Sequence, residues 1–137
     1  MSYKVLLPQP ILPHGDDYLL KHGFEIVRGR GFTEEDIIAD IADCDAMIVR
    51  TAKITSRILD AAKKLRSIAR HGASYDGVDL EAAKKHKVLV TTAGGANAIS
   101  VAELAVFYML HCSRRFKAVM NHCMEDYRYA KMGIRKT

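Results

Sequence analysis

With 137 residues, 49% of them hydrophobic, the chain is long enough for one domain with its own core and needs no disulfide or metal staples. No apolar run reaches the roughly 18 residues of a membrane span, the start MSYKVLLPQP lacks a secretory cleavage pattern, and Cys44, Cys112 and Cys123 form neither an even framework nor a C-x-x-C pair. Those features exclude a disulfide scaffold and a spanning helix and set a cytoplasmic expectation. The net charge of +5 leaves nucleic acid open as a partner, but residues 1–113 carry 14 basic and 14 acidic side chains. The excess lies in 114–137, with seven basic and two acidic, and is expected to be a charged surface rather than a polyanion site.

In chain order, β-branched runs alternate with stretches of helical spacing. Lys4–Leu7 reads as the first strand. A helix is expected to follow around Tyr18, Leu19 and Leu20, its start confused by Pro13 and Gly15 and its end capped at Gly23. Glu25–Val27 is the second strand. Thr33 and Asp36 then form a capping box, and Ile37, Ile38, Ile41 and Ala42 share the buried face of the helix behind it. After strand Ala46–Val49, Thr55 is expected to cap a helix that buries Ile58, Leu59, Ala62 and Leu65. After strand Ser67–Ala69, Asp79 caps another, with Leu80, Ala82 and Ala83 inward. Val88–Thr91 closes the series. Strands separated by helices of about ten residues imply right-handed crossovers, so the fold class is α/β, a doubly wound, flavodoxin-like (Rossmann-like) parallel sheet of about five strands.

The pattern then changes. Ser100 stands three residues before Glu103, a second capping box, and from Val101 to Cys112 only Glu103 and His111 are strongly polar. A long apolar helix is predicted from Ser100 to about Met124. One face would be buried on the preceding domain and the other on a further domain or subunit.

Candidate chemistry collects at the C-terminal ends of the strands, where open parallel sheets bind ligands. Arg50 and Thr51 offer a cation and a hydroxyl suited to a carboxylate or phosphate, although a surface arginine paired with an acidic neighbour would look the same. Gly72, Ala73, Ser74 and Tyr75 are mostly small, so successive amides can form an anion nest or simply a tight turn. His71 beside them has no carboxylate in a telling position and is not expected to act as a base. In TTAGGANAISVAEL, Gly94 and Gly95 turn the chain, Asn97 offers an amide, and a helix N-terminus follows. G-x-G-x-x-G, the P-loop lysine pattern and G-x-S-x-G are all absent. Histidines 14, 22, 71, 86, 111 and 122 are scattered, and no metal site is expected.

The block SIARHGASYDGVDLEAAKKHKVLVTTAGGANAISVAEL, with MIVRTAKIT before it, resembles the NAD-dependent D-isomer-specific 2-hydroxyacid dehydrogenases, the group that includes phosphoglycerate dehydrogenase. TEEDIIADIADCDAMIV fits the same family less distinctively. The resemblance implies an enzyme of two doubly wound domains with its active site in the cleft between them. It would transfer hydride between NAD and a small D-2-hydroxy or 2-oxo acid, with NADP not excluded. By the same resemblance Arg50 and Thr51 line the substrate side, the amides of Gly72, Ala73, Ser74 and Tyr75 receive the substrate carboxylate, Asn97 lies near substrate and nicotinamide, and Ser100 and Val101 edge the nicotinamide site. Residues 1–99 would be the substrate-binding domain, 100–126 an inter-domain and dimerisation helix, and 127–137 a linker toward the NAD-binding domain. The expected partners are the small acid and a second copy forming a homodimer through 100–124, with no nucleic acid and no membrane.

Three departures from the family pattern bear on the pocket. Tyr75 and Gly77 replace frequent valine and asparagine, and Ala98 replaces a threonine or serine. The family's catalytic arginine, glutamate and histidine and its glycine fingerprint belong to later segments, so this chain by itself is expected to be inactive. The alternatives are a non-catalytic module of the same fold that binds a small anion or a protein, and a basic nucleic-acid-binding domain.

Overall fold

The structure, a computed structural model, describes residues 2–125; the expected linker at 127–137 lies outside them. The chain divides into two compact units between Ala96 and Asn97. In the first, β1 (Lys4–Leu7), α1 (Pro13–Lys21), β2 (Glu25–Arg28), α2 (Glu34–Ile41), β3 (Ala46–Val49), α3 (Ser56–Ala61), β4 (Ser67–Arg70), α4 (Leu80–Lys85) and β5 (Leu89–Thr92) follow in strict alternation. The strands make one five-stranded sheet, in the order β2-β1-β3-β4-β5, with all pairs parallel. This is the order of a doubly wound fold whose switch point lies between β1 and β3.

Local chemistry explains most element boundaries. Pro13 opens α1, where its missing N–H would have been an orphan donor anyway. Gly23 ends it at φ +79, with its amide bonded to Leu20 O at 3.0 Å and that of Phe24 to Leu19 O at 3.1 Å. A side chain at that φ would be strained, which is why glycine stops the helix. The capping box of α2 forms: Asp36 N donates to Thr33 Oγ1 at 3.3 Å, and Thr33 N donates to Asp36 Oδ2 at 3.4 Å. Asp79 Oδ1 accepts from Ala82 N at 2.9 Å at the start of α4. Thr55 does not cap α3; its hydroxyl donates instead to Glu34 Oε1 on α2.

The largest core cluster lies on one face of the sheet, and Val5 and Leu7 are buried on the other. Leu6, Met47, Val49 and Ile68 meet Ile37 and Ile41 of α2, Ile58 and Leu59 of α3, and Ala82 and Ala83 of α4. Burying each of the larger side chains contributes about 1.5–3 kcal/mol. Two inward assignments are corrected. Ala42 is exposed because it is the residue that ends α2, and Leu80 is 41% exposed at the open first turn of α4. No residue of α1 is buried.

The second unit holds α5 (Ala98–Ser113) and α6 (Phe116–Glu125). The single long helix expected over 100–124 is therefore corrected to two helices. The break is at Arg114–Arg115, where Arg115 takes φ +50, a conformation that costs a non-glycine residue about 1–2 kcal/mol. Its amide bonds to Cys112 O at 3.1 Å, a tightened last turn, and its carbonyl accepts from Ala118 N at 2.9 Å to start the next helix. Ser113 Oγ donates back to Leu110 O at 3.1 Å, competing with the backbone ladder at the same place. The expected start also moves. Asn97 is the N-cap of α5 and Ser100 sits inside the first turn, so no Ser100–Glu103 capping box forms. No residue of α5 is buried, and Ile99, Val101, Leu104, Val106, Phe107, Tyr108, Met109 and Leu110 are 50–76% exposed. The expected buried face is thus absent from the described residues.

Candidate functional site

The sheet order puts the ends of β1, β3, β4 and β5 side by side. Val49 is in register with Arg70, and Arg70 with Thr92. His71 N donates to Val49 O at 2.8 Å, and Ala93 N to Gly72 O at 2.9 Å. Residues separated by some forty positions in the chain therefore become neighbours along one edge. A parallel bridge between Ile54 and Val78 ties the two middle loops together at their far ends, with Ile54 N on Gly77 O at 2.7 Å and Asp79 N on Ile54 O at 2.9 Å. Arg50 and Thr51 on one loop and Gly72, Ala73, Ser74 and Tyr75 on the next are thus held on the same edge, as the sequence led one to expect.

The loop after β4 is built to leave amides free. Ser74 Oγ donates to Asp76 Oδ2 at 2.6 Å and accepts from Asp76 N at 3.1 Å, a local turn that occupies the Ser74 hydroxyl. Val78 N donates to Tyr75 O at 2.9 Å. Among the described residues nothing accepts from the amides of Ala73, Ser74 or Tyr75. The Gly72 amide differs: it bonds to Arg70 O at 2.9 Å, so three of the four expected donors are free. A Cβ on Gly72 would meet Arg70 Nη1 at 2.7 Å, which shows the guanidinium folded over the glycine; Arg70 Nη1 also donates to His71 O at 3.1 Å. Tyr75 is 55% exposed, free to form a wall for whatever approaches the amides.

The loop after β3 is held from β1, by contacts that sequence reasoning missed. Gln9 Oε1 accepts from Thr51 N at 2.9 Å and from Ala52 N at 3.3 Å, while Gln9 Nε2 donates to Thr51 Oγ1 at 2.8 Å. Arg50 Nη1 donates to Pro10 O at 3.2 Å. Gln9 and Pro10 lie immediately beyond the first strand, and no local motif marks them. The signal that could have found them is topological, because β1 neighbours β3 in any sheet of this winding.

Beside the edge, a hollow of about 220 Å³ opens between Ile48, Ala69, His71 and Thr92, with Arg70, Thr91 and Ala93 completing it. Arg50 is not one of its walls. His71 is exposed, and among the described residues no carboxylate lies within hydrogen-bond reach of its ring. Beyond β5, Ala96 N bonds to Ala93 O at 3.3 Å around Gly94 and Gly95. Only Gly95 needs to be glycine there, at φ +80, as the third residue of a type II turn requires. Asn97, Ser100 and Val101 belong to the second unit. The Asn97 side chain makes no cap hydrogen bond to α5, so its amide is available to a ligand.

A doubly wound parallel sheet with free amides and a cation at its carboxyl edge defines a class, the open α/β domains whose ligands gather beyond their strand ends. The comparisons narrow it. Residues 5–131 match the catalytic domain of the D-isomer specific 2-hydroxyacid dehydrogenases, and the chain belongs to that family. D-3-phosphoglycerate dehydrogenase of Archaeoglobus fulgidus is 35% identical over 113 residues, covering 82% of this chain and 21% of that protein. Hydroxypyruvate reductase of Thermotoga maritima is 34% identical, covering 82% and 37%. Among solved structures, the NAD+-bound 3-phosphoglycerate dehydrogenase of Entamoeba histolytica superposes with a TM-score of 0.71 at 34% identity, over 81% of this chain and 39% of that one. The NADPH-dependent glyoxylate/hydroxypyruvate reductase of Sinorhizobium meliloti, in complex with NADP and malonate, superposes at 0.77 with 25% identity, over 99% and 42%. This chain therefore spans between about a fifth and two fifths of the relatives it matches.

Proposed function

We propose that this chain is the substrate-binding part of an oxidoreductase that passes hydride between NAD(P) and a small D-2-hydroxy or 2-oxo acid. The observation that carries the reading is the row of free amides at Ala73, Ser74 and Tyr75, beside Arg50 and Thr51 on one sheet edge. Fixed backbone donors suit a carboxylate because they need no reorganisation to meet it. Arg50 adds charge and Thr51 a hydroxyl, so a 2-oxo acid could place its carboxylate on the amides and its neighbouring oxygen against the side chains. Malonate in the Sinorhizobium reductase is a carboxylate ligand of the same kind.

The cofactor fits only at one border of this chain. Asn97, whose side chain is unused in capping, with Ser100 and Val101 in the first turn of α5, would edge a nicotinamide; the sequence holds no G-x-G-x-x-G to cradle its phosphates. NAD or NADP would supply the hydride. The residues of this chain would bind and orient the acid. With no carboxylate beside His71 among the described residues, they show no proton relay of their own, and the chain by itself is not expected to turn over. In this reading residues 1–99 form the substrate side, and α5 with α6 forms the inter-domain and homodimer segment. The exposed apolar side chains of α5 support that role, since so large a patch is rarely left to water.

The test has two arms. Pyruvate and glyoxylate titrated into the 15N-labelled chain are expected to shift the amides of Ala73, Ser74 and Tyr75, and NADH mixed with the same acids is expected to stay unoxidised. Absence of any shift at those amides refutes the binding role. Sustained NADH oxidation refutes the dependence on residues outside this chain.

A further inference from the structure

Gln9 has no place in the reading so far, yet its side chain is fully engaged. Two backbone N–H groups, of Thr51 and Ala52, point at the same amide atom, and only an oxygen can accept from both. That assignment leaves the NH2 group facing Thr51 Oγ1. The alternative flip would set donors against donors and is ruled out by the backbone itself. Thr51 Oγ1 is therefore an acceptor toward Gln9, and its own proton must find another acceptor. Among the described residues none takes it, and Thr51 is exposed.

We propose that Gln9 is a positioning residue for the acid-binding edge: it polarises the Thr51 hydroxyl so that its proton is offered to the bound acid. A hydroxyl rotates freely unless a neighbour decides its direction. Here the neighbour can only donate, so the hydroxyl is held ready as a donor before any ligand arrives. The adjacent Pro10 carbonyl acts in the same sense on Arg50, whose Nη1 it fixes at 3.2 Å. The β1–α1 loop thus sets the direction of both polar side chains that β3 presents. The inference rests on the proposed acid-binding edge and adds which group makes Thr51 a donor.

Gln9→Glu separates this role from simple support of the loop. A carboxylate accepts from the Thr51 and Ala52 amides at least as well as the amide oxygen does, so the loop keeps its anchor. The second carboxylate oxygen accepts from Thr51 Oγ1 and reverses the hydroxyl. The bound acid then meets a lone pair instead of a proton. Pyruvate titrations followed by amide shifts are expected to show about tenfold weaker binding, the loss of one hydrogen bond to a charged group. Thr51→Val alone should weaken binding by a similar factor, and Gln9→Glu added to Thr51→Val should weaken it no further. Gln9→Met, similar in volume and uncharged, is the second variant. It frees the hydroxyl to rotate among three staggered positions, so it should weaken binding by up to about threefold, less than Gln9→Glu does. That loss should vanish on the Thr51→Val background, and a loss that persists there in full is support of the loop alone and overturns the proposal; this variant decides the matter if Gln9→Glu fails to fold.

Wild-type affinity in Gln9→Glu or in Gln9→Met overturns the proposal. A penalty for Gln9→Glu that persists in full on the Thr51→Val background also overturns it, since that is the effect of charge alone. A wild-type chain whose Ala73–Tyr75 amides ignore pyruvate overturns the acid-binding edge itself, and this inference with it. The two failures are thereby distinguished.

Discussion

Ile58 on α3 and Leu110 on α5 are both aliphatic residues on helices, yet Ile58 is fully buried and Leu110 is 60% exposed. The first unit closes its own core: α2, α3 and α4 cover one face of the sheet, and each supplies two buried side chains. The second unit has apolar side chains around α5 and, among the described residues, no core to put them in. Ala102, Val106, Phe107 and Leu110 share one open apolar face of that helix. What differs is whether the described residues supply a covering layer: the core of the first unit is internal to it, whereas the apolar side chains of α5 stay exposed.

The largest expected effect breaks the comparison at those two residues. Ile58→Ala should lower the unfolding free energy of the first unit by about 2–5 kcal/mol in urea titrations, whereas Leu110→Ala should change it by less than about 0.5 kcal/mol. Sedimentation should show the reverse ranking, with self-association weakened by Leu110→Ala and kept by Ile58→Ala. Equal loss of stability in both variants would show that α5 contributes to the same core.

A smaller effect sharpens the comparison at the helix starts. Thr33→Ala removes a formed capping box and should destabilise by about 1 kcal/mol. Ser100→Ala, at a position that looks like a cap in sequence and lies inside the first turn, should not destabilise and should raise helicity slightly. Circular dichroism of the two variants checks the pair.

The smallest effect is electrostatic. The hydrogen bonds from Lys4 and Lys64 to Asp43 hold its carboxyl well below the ordinary value of 3.8, at about 2. A depressed folded-state value means the pair stabilises the fold above the ordinary carboxylate value, and that the contribution is lost as pH falls from 3.8 toward 2. Asp43 is fully exposed, so salt screens the gain. Wild type should lose stability over that interval more steeply than Asp43→Asn, and added salt should shrink the difference. Parallel curves would remove Asp43 from the account.

Much of this was legible in the sequence because the signals are local. Strand positions followed from β-branched runs, the start of α2 from Thr33 and Asp36, and the end of α1 from Gly23; each depends on residues within one or two turns of chain. The choice of Arg50, Thr51 and Ala73–Tyr75 as candidate donors rested on the same reading combined with the rule for strand ends. Errors came where one local pattern competed with another. Ser100 and Glu103 have cap spacing, but the helix starts three residues earlier, with Asn97 at the N-cap position and no side-chain cap bond. Nothing in HCSRRF announces the turn at Arg115, because a single left-handed residue leaves no mark in periodicity.

The sequence by itself determined the strands and helices of the first unit and that they alternate, since period and capping act over a few residues. Only the tertiary structure decided what those segments meet. The winding order laid β1 against β3 and so brought Gln9 to Thr51 across 42 positions. It also laid β4 between β3 and β5, so that His71 N meets Val49 O and Ala93 N meets Gly72 O. Such contacts depend on which strands pair, a global choice made by the burial of a whole face of the sheet.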